Sequence, residues 1–246
     1  MKSSLHRNFE NVPDENLNYV KQALLQNFND PSPVVRRSVS LVVIEIVFNS
    51  GFLAWPDVLK FLTNNLDAND VGIIENTIDC ISKIVEEFRM NSDSYDFLVS
   101  EKMGQPLNQL LPKLLVLCEP KIPAEIRAAA ILTLNHFIYA MPPAFLIMIK
   151  DYFALLYEGC KDQNPLVRQR SVQGFVALLE TRKDLVLPHL DKILDRIVDC
   201  CGDSDYEVAR NAGLFWEEYL IREPDEPMDR IYHLRSYFDR YQMINF

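Results

Sequence analysis

Glycine is scarce in this sequence, at 7 residues of 246, about half the usual share. Tight hairpins draw on glycine for their positive-φ positions, so a fold of many short strands is disfavoured and a mostly helical one expected. The N-terminus, MKSSLHRNF, is followed by no apolar core of signal-peptide length, which argues against a secretory address and for a reducing compartment. Long apolar runs are missing too. The most lipid-like stretch, Ala128 to Ile149, is interrupted by Asn135, His136 and Pro142-Pro143, where a membrane span needs about 20 unbroken apolar residues. It reads as two buried helices and a turn.

Catalytic and metal-binding signatures are equally absent. The sequence has no CxxC pair, no HExxH, no GxSxG, no GxGxxG and no P-loop. Its four histidines are scattered, and no His-Glu dipeptide of the kind that carries iron in repeat-built hydroxylases occurs. Neither an enzyme nor a cofactor or metal site is expected. Basic charge is short as well: the formal net charge is −10 and the isoelectric point about 4.9, which disfavours nucleic acid as a partner. Residues 67–101 concentrate the acidity, with nine carboxylates against Lys83 and Arg89. A basic partner would be steered there.

What the sequence does contain is a repeat. DPSPVVRRSV from Asp30, DQNPLVRQRS from Asp162 and DSDYEVARNA from Asp203 share an acidic turn residue and a valine five positions later. NDVGIIENTI from Asn69 and KIPAEIRAAA from Lys121 fit more loosely. With Val35, Ile73, Ile126, Val167 and Val208 as anchors, the spacings are 38, 53, 41 and 41 residues. The columns eight, eleven and twelve residues after each anchor are apolar or aromatic in all five copies, from Val43, Ile46 and Val47 to Trp216, Tyr219 and Leu220. Those separations fall on one helical face. The column four after the anchor holds Val39, Thr77, Ala130, Ser171 and Ala212, as expected where neighbouring helices approach closely.

A second amphipathic stretch precedes each anchor, with Pro56, Pro106 and Pro188 marking first turns, where a missing N–H is harmless. The unit is helix A, a short turn and helix B. A period near 40 and two helices per unit predict an all-α, α-α superhelix of HEAT type with about five helix pairs. The expected limits are an extension at 1–11, units at about 12–50, 54–89, 104–140, 142–181 and 185–223, and a divergent tail or cap at 224–246. A polar connector at about 89–103 accounts for the long interval. Helix B of the first unit carries Leu41, Ile44 and Phe48 on the face that should be solvated, so it does not read as a cap. Cys118, Cys160 and Cys200 or Cys201 recur near the ends of helix A, as a packing column and not as zinc ligands.

Helix B positions two, six, nine and thirteen after the anchor are expected to face outward. In the second unit these are Glu75, Asp79, Ser82 and Glu86, a strip of three carboxylates at near-helical spacing. Glu75, Asp79 and Glu86 are the candidate partner-binding residues. The alternative is an ordinary solvated face.

The runs FLAWPDVLKFLTNNLD, GQPLNQLLPKLLVL with IRAAAILTLNHFI, and VRQRSVQGFVALLETRKDLVLPHLDKILDRIVDCCGDSDYEVARNAGLFWEEYL resemble consecutive HEAT repeats of the transportin-type karyopherins of the importin-β superfamily. The resemblance covers about residues 12–222 and matches the N-terminal half of those longer receptors, after their first repeats. It implies a nuclear import receptor that binds Ran in its GTP form, nucleoporins, and cargo bearing nuclear localisation signals, and that shuttles between cytoplasm and nucleus. The cargo site would lie outside this chain. It further implies that the Glu75, Asp79 and Glu86 strip faces the GTPase. The other reading is a HEAT scaffold subunit of a multiprotein complex, such as one holding a phosphatase.

Overall fold

The computed structural model describes residues 13–50, 52–89 and 101–221. The expected N-terminal extension and the tail at 224–246 lie outside the described residues, as does most of the expected connector. Among the described residues there is no strand, and the helices alternate along the chain as pairs. The first pair is α1 (Asp14–Asn27) and α2 (Pro33–Ser50). The second, after a 3-10 turn at Phe52–Ala54, is α3 (Pro56–Asn65) and α4 (Val71–Arg89). The third is α5 (Glu101–Val116) and α6 (Ala124–Ala140).

In the fourth pair, helix A is broken into α7 (Pro143–Ile147) and α8 (Ile149–Gly159), and helix B is α9 (Pro165–Thr181). The fifth begins with the short α10 (Lys183–Val186) and a 3-10 turn at Leu187–His189, then α11 (Leu190–Cys201) and α12 (Tyr206–Ile221). The apolar run from Ala128 ends α6 at Met141, which takes a left-handed cap conformation, and Pro142 starts the chain back into α7.

Two of the three expected proline starts differ from expectation. Pro56 does open α3. Pro106, however, lies inside α5, which begins five residues earlier at Glu101, and Pro188 belongs to the 3-10 turn before α11. Proline is also tolerated deeper in α5, at Pro112. Each proline removes one backbone donor, and the flanking Leu107, Leu110, Leu111 and Leu114, all buried, hold the helix together by packing.

Each helix B packs against the next, α2 on α4, α4 on α6, α6 on α9 and α9 on α12. Contacts along the A row are sparser. The B helices thus form the more closely packed of the two rows. The apolar columns read from the sequence form the core: Val43, Leu134, Phe175, Ile46, Phe137, Leu178, Val47 and Ile138 are all essentially inaccessible. The small column does what its size permits, with Thr77, Ala130, Ser171 and Ala212 fully buried where the B helices meet.

The turn sequence has a physical job. Asp30, Asp162 and Asp203 each accept a hydrogen bond from the backbone N–H two residues on, at 2.8 Å, closing the turn before helix B. In two of the units the same carboxylate also takes the arginine of the preceding unit. Arg127 pairs with Asp162 and Arg168 with Asp203, each at 35 residues' separation. The first anchor behaves differently from the rest. Val35 is 38% exposed, and Leu41 is 58% exposed, because no other B helix covers that side of α2 among the described residues. Ile44 is buried and Phe48 half-buried against the core, so of the three residues read as facing solvent only Leu41 does so.

Candidate functional site

Helix α4 carries the acidic strip. Its first turn is fixed by Asp70, which accepts from the N–H groups of Gly72 at 2.7 Å and Ile73 at 3.3 Å. The apolar face of the helix, Ile78, Ile81, Ile84 and Val85, is buried. That rotation leaves Glu75, Asp79 and Glu86 exposed. Glu75 and Glu86 have no partner among the described residues, whereas Asp79 receives Lys83 at 2.7 Å, one turn on. Ser82, the fourth expected member, is only 8% exposed and belongs to the packed side. The equivalent position in the third unit, Asn135, is buried too, because the ninth position after the anchor turns towards the next B helix.

Glu75 and Asp79 do not stand on a uniformly acidic surface. They form one wall of a groove of about 640 Å³ between α2 and α4, whose other wall carries Arg36 and Arg37. Arg36 donates to the carbonyls of Asp30 at 2.9 Å and Pro31 at 3.2 Å, so its charge is largely occupied by its own turn. Its guanidinium packs where a side chain on Gly72 would stand, 2.7 Å from an ideal Cβ there. Glu86 lies farther along α4, outside that groove.

A second groove, of about 670 Å³, opens on the A-helix side between α8 and α11. Its lining includes Ile149, Phe153, Tyr157, Phe175 and Ile193, with Lys150 and Lys192 exposed beside it. Phe153 packs at a tilt against Phe175 and His189, with centroids 6.1 and 5.7 Å away. Arg196 lies 4.7 Å over the Tyr157 ring and donates to its hydroxyl at 3.1 Å. Sequence reading passed over this groove because it followed helix B. The signal was available in the i, i+4 pair of exposed-side aromatics Phe153 and Tyr157 on helix A.

No group of three or more His, Cys, Asp or Glu side chains is arranged to hold a metal ion among the described residues. Cys80, Cys118, Cys160 and Cys200 are buried free thiols, and burial raises the pKa of Cys80 and Cys118 well above the ordinary range. Such thiols are poor nucleophiles.

The chain is similar to curated transportins. It is 30% identical over 216 residues to transportin of Dictyostelium discoideum and, over the same length, to transportin-1 of Mus musculus; both alignments cover 88% of this chain. The chain belongs to the transportin-type karyopherins of the importin-β superfamily. It spans only about a fifth of these relatives, 22% and 23% of their lengths. The fold agrees with that of solved importin-β-type chains. Kap95 in its complex with Nup1 superposes with a TM-score of 0.72 at 15% identity over 96% of this chain and 28% of that one. Kap95p bound to RanGDP superposes with a TM-score of 0.68 at 15% identity, over 96% of this chain and 27% of that one. No protein-family model matches the chain.

Proposed function

We propose that these HEAT repeats are a non-catalytic docking segment of a nuclear import receptor, and that the exposed face of α4 meets the GTPase Ran in its GTP form through Glu75, Asp79 and Glu86. The observation that carries this reading is the exposure of Glu75 and Glu86 without a partner among the described residues, on the more closely packed row of helices. Carboxylates left uncompensated on an exposed surface attract a basic partner and cost the fold little while empty. The relatives support the reading by name, and one structural neighbour, Kap95p, is known bound to RanGDP. Another, Kap95, is known with the nucleoporin Nup1. For this chain we assign nucleoporin contact to the apolar α8–α11 groove, where Ile149, Phe153 and Tyr157 stay partly exposed beside lysines. Cargo with nuclear localisation signals would be held elsewhere in a longer receptor, which shuttles between cytoplasm and nucleus.

The test is binding of the 246-residue chain to immobilised Ran loaded with GTP or GDP, beside circular dichroism to show that the chain is helical. Preference for the GTP form is the expected result. Equal or absent binding by a folded chain overturns the GTPase assignment and favours a scaffold role for the same ridge.

A further inference from the structure

We propose that the groove between α2 and α4 binds an extended polypeptide segment of mixed charge, and that Asn76 and Ser40 hold it through its main chain. The Asn76 Nδ2 and Ser40 Oγ atoms are both buried and have no hydrogen-bond partner. The residues are 8% and 2% exposed, and both line the groove. Buried polar groups are nearly always paired, because leaving one unmade is unfavourable. Elsewhere in the B row single atoms of Asn49, Arg127 and Glu218 are also buried without a hydrogen bond, but none of the three lines the groove, and other buried amides and hydroxyls of the row are paired. Asn135 is satisfied at both ends of its amide, Asn211 donates to the Glu207 carbonyl at 2.6 Å, and Thr77 and Ser171 donate to carbonyls one turn back.

The walls say what the missing partner is. Arg37 on α2 and Glu75 on α4 are exposed and unpaired, while Arg36 is taken by its own turn and Asp79 by Lys83. A nucleic acid would bring only anions against Glu75 and Asp79. A peptide brings carbonyl acceptors for Asn76 Nδ2, N–H donors for Ser40 Oγ, and side chains of either sign for Arg37 and Glu75. Leu41, 58% exposed at the same groove, supplies apolar contact. The α2 wall runs from Pro33 to Ile44, which at 1.5 Å per residue is about 16 Å, the reach of about five residues of extended chain. Asn76 Nδ2 and Ser40 Oγ are both covered in the unbound chain, so entry requires the side chains over them to move aside.

The inference goes beyond the GTPase contact. It shares Glu75 and Asp79 with that reading but is anchored on Asn76 and Ser40, which that reading does not use. The experiment is selection of random dodecamer peptides displayed on phage against the whole chain, then anisotropy of the enriched peptides, fluorescein-labelled, with wild type, Asn76→Ala, Ser40→Ala/Asn76→Ala and, as a control on the exposed side of α3, Lys60→Gln. Enriched peptides carrying both an acidic and a basic residue are expected, with affinity about tenfold lower for Asn76→Ala and unchanged for Lys60→Gln. The thermal midpoint of the double variant is expected to equal or exceed that of wild type. The proposal is overturned by a failure to enrich any peptide, by peptides that bind Asn76→Ala as well as wild type, or by a lowered midpoint of the double variant, which would make the two groups structural. Peptide binding without Ran binding retires the GTPase reading alone, and the converse retires this one.

Discussion

Arg168 grips Asp203 across the boundary between two helix pairs, Nε to Oδ2 at 2.6 Å and Nη2 to Oδ1 at 2.7 Å, while its third nitrogen donates to the carbonyls of Asp162 and Gln163 in its own turn. Arg127 makes a related tie one unit earlier, where its Nη2 alone reaches both carboxylate oxygens of Asp162. The arginine thus closes one turn and ties it to the next. Both side chains of the Arg168 pair are largely buried, at 16% and 10% exposure, so the pair is more than a surface contact.

Replacing Arg168 by alanine should therefore cost about 2 kcal/mol in urea denaturation, and replacement by lysine nearly as much, because a single ammonium cannot reproduce the two parallel bonds. Since each unit of such a stack is stabilised by its neighbours, hydrogen exchange should accelerate in α11 and α12 before it does in α6. Uniform acceleration along the chain would contradict a local tie.

The same pair sets an acid limit. Its hydrogen bonds with Arg168 hold the Asp203 carboxyl below the usual carboxylate range. A depressed folded-state pKa gives stability that is complete above the unfolded value of about 3.9 and is lost as pH falls through the folded one. Stability should be insensitive to this group between about pH 5 and 8 and should drop below about pH 4. Asp203→Asn should flatten part of that drop in urea titrations at pH 3 and 6. Asp184, also held low by Arg182, is 62% exposed and should contribute little to the acid transition.

Reversal of Glu75 and Asp79 to lysine should slow association with Ran·GTP at low salt by about tenfold and reduce its salt dependence. Folding should change by less than about 0.5 kcal/mol, because the exposed Asp79–Lys83 pair is the only ion pair removed. Stopped-flow rates at two salt concentrations decide it; equal rates for wild type and variant would remove the strip from the interface.

Tyr152 ties the third and fourth units from within. Its hydroxyl donates to Asn135 Oδ1 at 2.6 Å, and Asn135 Nδ2 donates to the Arg170 carbonyl at 2.9 Å. Tyr152→Phe should cost about 1–3 kcal/mol by leaving the Asn135 oxygen unpaired in the core. Gly174→Ala should cost a similar amount by overpacking, since its methyl would stand 2.7 Å from both the Tyr152 hydroxyl and Leu156, which are fully buried and have nowhere to move. Thermal melts measure both.

Phe153→Ala should weaken binding of nucleoporin fragments several-fold by removing the aromatic wall of the α8–α11 groove, and leave the rate of Ran association unchanged, because the groove lies on the opposite row of helices. A parallel loss of both activities would mean that the substitution acts through the fold.

The looseness of two repeats in the sequence has a structural counterpart. The second unit places its acid at Asp70, three residues before the anchor instead of five, and there Arg36 packs on Gly72 without forming an ion pair to it. The third has Lys121 in the acidic position, and Lys113 instead bridges to the preceding unit through Asp67 and the Thr63 carbonyl, at 2.5 and 3.0 Å. Where the turn motif was clean, the ladder formed.

Periodicity alone determined the helical class, the pairing of helices and which columns enter the core, because a 3.6-residue repeat fixes which side chains share a face wherever the helix lies. It also placed Glu75, Asp79 and Glu86 on the outside. It could not exclude Ser82, or foresee that Arg36 and Arg37 would stand across a groove from Glu75, since both depend on how neighbouring B helices are rotated against each other. Nor could it mark Asn76 and Ser40 as unpaired. Whether a buried amide finds a partner is decided by atoms on another helix, a few ångströms away in space and some thirty residues away in the chain, and only the tertiary packing brings those atoms there or leaves the place empty.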